Sequence, residues 1–147
     1  MIGTKEHKMT QELKLKFNDY ALYHAHPKNR LTHYLGIPPI AASALGLFAL
    51  IKIGPVDAGM LLALFALAFY FTIDKKLAAL FALPMAALYL IGAYASLPVL
   101  IAMQVVGWIS QYVGHYIFEK KSPAFYKNLQ QLLIGPLWIF AKIIKYK

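Results

Sequence analysis

Long apolar segments, separated by short polar ones, dominate the chain between residues 37 and 118. The charged side chains in this region are Lys52, Asp57 and the run Asp74-Lys75-Lys76. They divide it into segments close to the ~17–25 residues that a bilayer-spanning helix requires. We therefore predict four membrane-spanning helices, at about residues 38–53, 56–73, 77–94 and 97–118.

A weaker helical pattern precedes the first apolar segment. Apolar side chains and one histidine recur at steps of three and four residues, which places them on one face of a helix. They are Met9, Leu13, Phe17, Tyr20 and His24. We predict an amphipathic helix that lies on the membrane surface or against the bundle and that Pro27 ends.

The segment after the fourth span contains two helix signals. Ser122-Pro123 is typical of a helix start, so we predict a helix to about residue 133, and Gly135-Pro136 is expected to break it. The remaining tail is too short to span a bilayer, so we expect an interfacial segment with Trp138 at headgroup depth.

These patterns predict an all-α fold: an integral membrane four-helix bundle with an N-terminal amphipathic helix and C-terminal interfacial helices. It would form one domain over residues 1–147, with a cytoplasmic head (1–36), four spans (37–118) and a cytoplasmic or interfacial tail (119–147). Gly36 and Pro38-Pro39 are expected to separate the head from the first span.

Composition and charge agree with a membrane protein. The chain is 60% hydrophobic, against ~45–50% in ordinary soluble domains. Its net charge of +9 accompanies no nucleic-acid-binding motif, so a membrane surface is the expected partner and nucleic acid is not. In a four-span topology every basic residue except Lys52 falls on one side, which predicts that both termini are cytoplasmic.

Four of the five histidines flank the apolar region: His24, His26 and His33 before it, and His115 after it. An even number of spans brings both groups to the same membrane face, where we expect them to converge on one metal ion. The chain has no cysteine, so the ligands must be nitrogen or oxygen, which leaves iron, zinc, copper and nickel open. So few histidines allow a mononuclear site at most.

Each of these residues also has a simpler interpretation. A histidine beside a membrane span is more often a hydrogen-bonding or anchoring group, and His26 could cap the helix that begins at Pro27. Glu119 follows His115 by one helical turn, so it could be a ligand, orient the imidazole, or pair with Lys120 at the surface. Arg30 could hold a substrate carboxylate or only neutralise lipid headgroups.

The two histidine regions form motifs that resemble a family of small membrane dioxygenases that degrade 2-hydroxy fatty acids. The similarity covers nearly the whole chain. The motifs are Tyr23-x-x-His26-Pro-x-Asn-Arg-x-x-His33 with His24, then Gly36-Ile37-Pro38, and finally Gln111-x-x-Gly114-His115-x-x-Phe118-Glu119-Lys120-x-x-Pro123-Ala124.

This resemblance implies an Fe(II)-dependent enzyme with a mononuclear, non-haem site. It would convert a 2-hydroxy fatty acid and O2 into the fatty acid one carbon shorter and CO2, in the endoplasmic reticulum of a eukaryote or the inner membrane of a bacterium. The implied iron ligands are His24, His33 and His115, with His26. Arg30 (or Lys28) would hold the carboxylate, and Glu119 and Asn29 would orient the imidazoles.

Two other functions are compatible with the residues. One is a non-enzymatic membrane protein that binds lipid or a structural metal, for which a closed coordination shell is expected. The other is a b-type haem protein with paired axial histidines.

Overall fold

The computed structural model describes residues 9–147, and His7, expected in a solvated polar tail, lies outside this range. The described residues form six α-helices and almost no strand, which confirms the all-α fold class. The helices are α1 (Gln11–Leu22), α2 (Pro27–Ala49), α3 (Ala58–Ile73), α4 (Lys75–Tyr94), α5 (Leu97–Tyr112) and α6 (Gln131–Ile143). A π-helical segment (Val113–Glu119) continues α5, a 3₁₀ turn (Ala124–Tyr126) precedes α6, and two short antiparallel strands, β1 (Lys52–Ile53) and β2 (Val56–Asp57), join α2 to α3.

Helix α2 is the centre of the bundle and contacts α3, α4, α5 and α6. Small residues allow these close contacts, as in other helix pairs that pack within lipid. A Cβ added to Gly46 of α2 would collide with the backbone of Gly92 on α4, and one added to Gly92 would collide with Ala42. The packing of α2 therefore depends on glycine at these crossing points.

Three helical segments are long and apolar enough to cross a membrane: Pro27–Ala49, Lys75–Tyr94 and Leu97–Glu119. Helix α3 is also apolar but has only 16 residues. Large apolar side chains face outwards on several helices, including Phe65 (62% exposed), Leu83 (79%) and Val106 (64%). Exposed apolar surface on this scale is what a lipid-facing bundle presents.

The first span differs from its predicted bounds, because α2 begins at Pro27 and continues through Pro38 and Pro39. Prolines remove backbone donors, but neighbouring helices and hydroxyl side chains can stabilise them within a membrane bundle. Here the Ser43 hydroxyl donates to the Pro39 carbonyl at 2.5 Å. His33 therefore lies on the same continuous helix as the predicted first span.

The two flanking helices also differ from prediction. Helix α1 ends at Leu22, before Pro27, and no α-helix begins at Ser122. Helix α6 runs through Gly135-Pro136, because Gly135 packs closely against Ile37 and Tyr20 and so serves as a contact point, not as a break.

Trp138, predicted to lie at headgroup depth, is buried within the protein. Its side chain is only 2% exposed and packs beside Tyr20, His24 and Tyr34. Helix α6 contacts α1 and α2 at this point, so the C-terminal helix closes the core around the histidine region.

Candidate metal centre

Three of the four predicted histidines meet inside the protein. His24 lies in the turn between α1 and α2, His33 lies on α2, and His115 lies in the π-helical segment. Each is 2% exposed, and one nitrogen of each ring lies within 4.8 Å of those of the other two. The three rings meet edge to face, with centroids 4.3–4.9 Å apart.

Backbone carbonyls fix the orientation of two rings. His24 Nδ1 lies 2.6 Å from the Tyr20 carbonyl oxygen, and His33 Nδ1 lies 2.8 Å from that of Asn29. A carbonyl only accepts, so each Nδ1 carries the hydrogen and each Nε2 carries a lone pair. His24 Nε2 is buried and has no hydrogen-bond partner among the described residues, while His33 Nε2 lies 3.1 Å from His115 Nε2.

The surroundings of His24 favour its uncharged form. Burial lowers the pKa of His24 from 6.5 to about 4, and the neighbouring His115 lowers it further, although the Tyr20 carbonyl and Glu119 act in the opposite direction. A neutral imidazole is the form that binds a metal.

This donor set fits a metal ion. Two nitrogens 3.1 Å apart can both bind one ion at the usual metal–nitrogen distance of about 2.1 Å. The same separation is too short for the axial ligands on opposite faces of a haem. Imidazole nitrogen without thiolate suits iron, zinc, copper and nickel, and the three histidines offer one nitrogen each to a shared ion.

A cavity of about 360 Å³ begins at the three histidines and extends between the helices. Its walls beyond the histidines are mainly apolar, with side chains from α2, α3 and α4 such as Ile37, Ala41, Ala66 and Met85. This volume lies within the ~300–1,000 Å³ range of small-molecule sites. The arrangement offers one end lined by three imidazole groups and an apolar compartment behind it.

Comparison with known proteins agrees with this arrangement. The sequence profile of the family described as 2-hydroxy-palmitic acid dioxygenase Mpo1-like matches residues 10–146. The chain belongs to this family. It is 30% identical to the 2-hydroxy-palmitic acid dioxygenase MPO1 of Saccharomyces cerevisiae, in an alignment that covers 90% of this chain and 80% of the yeast protein. No solved structure matches the chain.

In this member of the Mpo1-like family, Glu119 fastens the π-helical segment to the turn before α2. Its carboxylate accepts from the backbone N–H groups of Ala25 (3.1 Å) and His26 (2.8 Å) and from Asn29 Nδ2 (3.0 Å). Asn29 Nδ2 also donates to the Tyr23 backbone carbonyl, and the Asn29 backbone carbonyl accepts from His33 Nδ1. Glu119 and Asn29 thus hold the segments that carry the histidines, and Glu119 is not part of the cluster itself.

The structure does not bring His26 to the other three histidines. His26 caps α2, where its Nδ1 accepts from the Lys28 backbone N–H at 3.2 Å, and its ring stacks on Phe118. The helix-capping interpretation is therefore the one that the geometry supports. Lys28 itself lies over the Phe118 ring.

Arg30 is half-buried on the first turn of α2 but does not line the cavity. Its side chain has no hydrogen bond or ion pair with any residue in the described range. A contact between Arg30 and a substrate carboxylate stays a prediction.

Gly114 shows why His115 can approach α2 so closely. A Cβ at this position would collide with the side chains of Thr32 and Asn29. The wider π-helical turn and the missing side chain together bring His115 to His33. The Gly-His pair was visible in the sequence, but its spatial role was not, because the π-helix has no sequence signal of its own.

Sequence reasoning also missed the aromatic wall behind the cluster. Tyr20 stacks on His24 with ring centroids 3.9 Å apart and planes inclined by 8°, and Trp138 lies beside both rings. The helical spacing of Tyr20 and His24 indicated a shared face, but nothing in the sequence indicated that α6 would cover that face.

Proposed function

We propose that this protein is an Fe(II)-dependent dioxygenase that shortens 2-hydroxy fatty acids by one carbon. The observation that carries the proposal is the convergence of three buried histidines at one end of an apolar cavity. Membership of the Mpo1-like family and the name of the yeast relative support this reaction class.

The proposed reaction balances without another reductant. A 2-hydroxy acid and O2 give the acid one carbon shorter, CO2 and water; the bond between the carboxyl carbon and the hydroxyl-bearing carbon breaks. Bound iron would supply the redox chemistry and orient the two reactants.

The residues of the chain perform the remaining tasks. The Nε2 atoms of His24 and His33 and a nitrogen of His115 would hold the iron, while the carbonyls of Tyr20 and Asn29 keep the first two rings in the required tautomer. With three ligands from the protein, coordination positions stay open for the hydroxy acid and O2. A structural metal site usually has a closed shell, so the adjoining cavity favours a catalytic site.

The apolar cavity would bind the alkyl chain and exclude water from the reacting end. A chain that enters from the bilayer is already out of water, so close packing against the cavity walls would stabilise it there. A fatty acid dissolved in the bilayer could thus place its polar head at the histidines while its chain remains among the helices.

We also propose that the histidine cluster lies at the cytoplasmic end of the bundle, with both termini on that side. The distribution of Lys and Arg supports this orientation, because Lys52 alone falls at the opposite end of the spans. Fusion of a cytoplasm-dependent reporter to either terminus tests it.

The proposed activity is tested with purified protein loaded anaerobically with Fe(II), mixed with 2-hydroxypalmitate and then exposed to oxygen. We expect equal amounts of CO2 and pentadecanoate. The variants His33→Ala and His115→Ala should lose bound iron and turnover, while His26→Ala, outside the cluster, should keep both. A wild type that holds iron but consumes no hydroxy acid would refute the enzyme and leave a structural metal site.

A further inference from the structure

The cavity follows one face of helix α2 from the histidine cluster towards the C-terminal end of that helix. The α2 side chains that line the cavity follow one another at steps of one, three or four residues, which is the spacing of side chains on one face of a helix. They are His33, Ile37, Ile40, Ala41, Ala44 and Leu45.

The length of this lined face can be read from the helix. Twelve residues separate Leu45 from His33, which is about 18 Å at the usual helical rise. An extended alkyl chain advances about 1.25 Å per carbon, given carbon–carbon bonds of ~1.5 Å. The face therefore accommodates about 14 carbons beyond those held at the metal.

Helix α3 forms the opposite wall at the same depth. A Cβ on Gly59 would collide with the Leu45 carbonyl, so the start of α3 lies level with the end of the cavity. Leu62, one turn along α3, lines the deep end, and Ala66 lines it one turn closer to the histidines. Ala66 is seven residues beyond Gly59, which is about 10 Å nearer to the cluster.

The polar side chain in this deeper part is already hydrogen-bonded. Gln104 donates to the Ile40 carbonyl at 3.1 Å and accepts from Trp108 Nε1 at 2.9 Å. Both ends of its amide therefore have partners, and an alkyl chain can pass beside it without leaving a buried polar group unpaired.

We propose that α3 sets the chain length of the substrate: the small side chain of Ala66 leaves the cavity open, and Leu62 with Leu45 closes it. This proposal rests on the proposed function for the identity of the headgroup, but it concerns the cavity and not the reaction. The preferred ligand is a straight-chain 2-hydroxy acid that extends to about Leu45.

The test is equilibrium binding of a series of 2-hydroxy acids, from octanoate to stearate, to detergent-solubilised full-length protein without added metal. Ala66→Leu should block the cavity at about half its length. We expect 2-hydroxypalmitate to bind at least ~10-fold more weakly, since each expelled methylene costs about fourfold in affinity, while 2-hydroxyoctanoate changes by less than ~2-fold. The matched control is Ala68→Leu, because Ala68 is exposed on the same helix and does not line the cavity.

A second pair of variants tests the deep end in the opposite direction. Leu62→Ala should shift the optimum to longer chains, while Leu64→Ala, at a side chain that is 56% exposed, should not. Identical chain-length profiles for Ala66→Leu, Leu62→Ala and their controls would overturn the proposal. A wild type that shows the chain-length limit in binding but no turnover would refute the proposed reaction and leave this inference supported.

Discussion

Substitution of Glu119 by Gln gives a direct test of how the centre is held together. The carboxylate accepts three hydrogen bonds, at 2.8, 3.0 and 3.1 Å. Glutamine has one carbonyl oxygen, so one donor must face an NH2 group, and the other two bonds lose their charge. Bonds to charged groups contribute ~1.5–3 kcal/mol and neutral ones ~0.5–1.5 kcal/mol. After allowance for partial exposure, we expect Glu119→Gln to destabilise the fold by about 2 kcal/mol.

Thermal unfolding in detergent measures this effect, which corresponds to a fall in Tm of about 6 °C. Because Glu119 joins the segments that carry His24 and His115, we also expect metal affinity to fall by ~10–100-fold, the usual cost of losing an outer contact. The matched control is Glu12→Gln, since Glu12 is exposed and, among residues 9–147, pairs only with Lys16, at 3.7 Å; the Tm of this variant should be unchanged. Equal shifts for the two variants, or an unchanged metal affinity for Glu119→Gln, would contradict the assigned role.

Three further outcomes are expected. His26→Ala should retain the metal, as measured by its iron content, and lose only the ~1 kcal/mol of a helix cap; loss of iron would place His26 among the ligands. Gly114→Ala should destabilise the protein by ~1–3 kcal/mol, because the new methyl group collides with Asn29 and Thr32, and an unchanged Tm would show that the segment can relax. Added Fe(II) should raise the Tm of the wild type but not that of His24→Ala. At an Fe(II) concentration one hundred times Kd, the expected gain in the free energy of unfolding is about 2.7 kcal/mol; an equal rise in both proteins would exclude His24 as a ligand.

The sequence was most informative where one kind of pattern determined the structure. Apolar length located α3, α4 and α5 to within a few residues, because a bilayer fixes the length of each segment. The proline and glycine signals were wrong at Pro38-Pro39 and Gly135-Pro136. There, local backbone preference predicted helix breaks, but tertiary contacts kept the helices intact. Proline and glycine signals describe an isolated chain, whereas packing decided these two cases.

The same contrast applies to the site. The charge distribution and the even number of spans predicted that His24, His33 and His115 would lie at one end of the bundle, and the three side chains do meet. His26 differs by only two positions from His24, yet it caps a helix outside the cluster. Spacing could not separate these two roles, because it does not show that the His24 ring meets His33 and His115 while the His26 ring stacks on Phe118.

The three clustered histidines are far apart in the chain, and this separation determines when the cluster can form during biosynthesis. His33 and His115 are 82 residues apart, and the apolar helices α3, α4 and α5 lie between them. A nascent chain that ends before residue 115 carries only two of the three histidines. It also lacks helix α6, which lines one side of the cavity. The cluster of three histidines can therefore form only after the chain has been synthesised beyond α5. If the proposed function holds, no shorter chain would offer iron all three nitrogens.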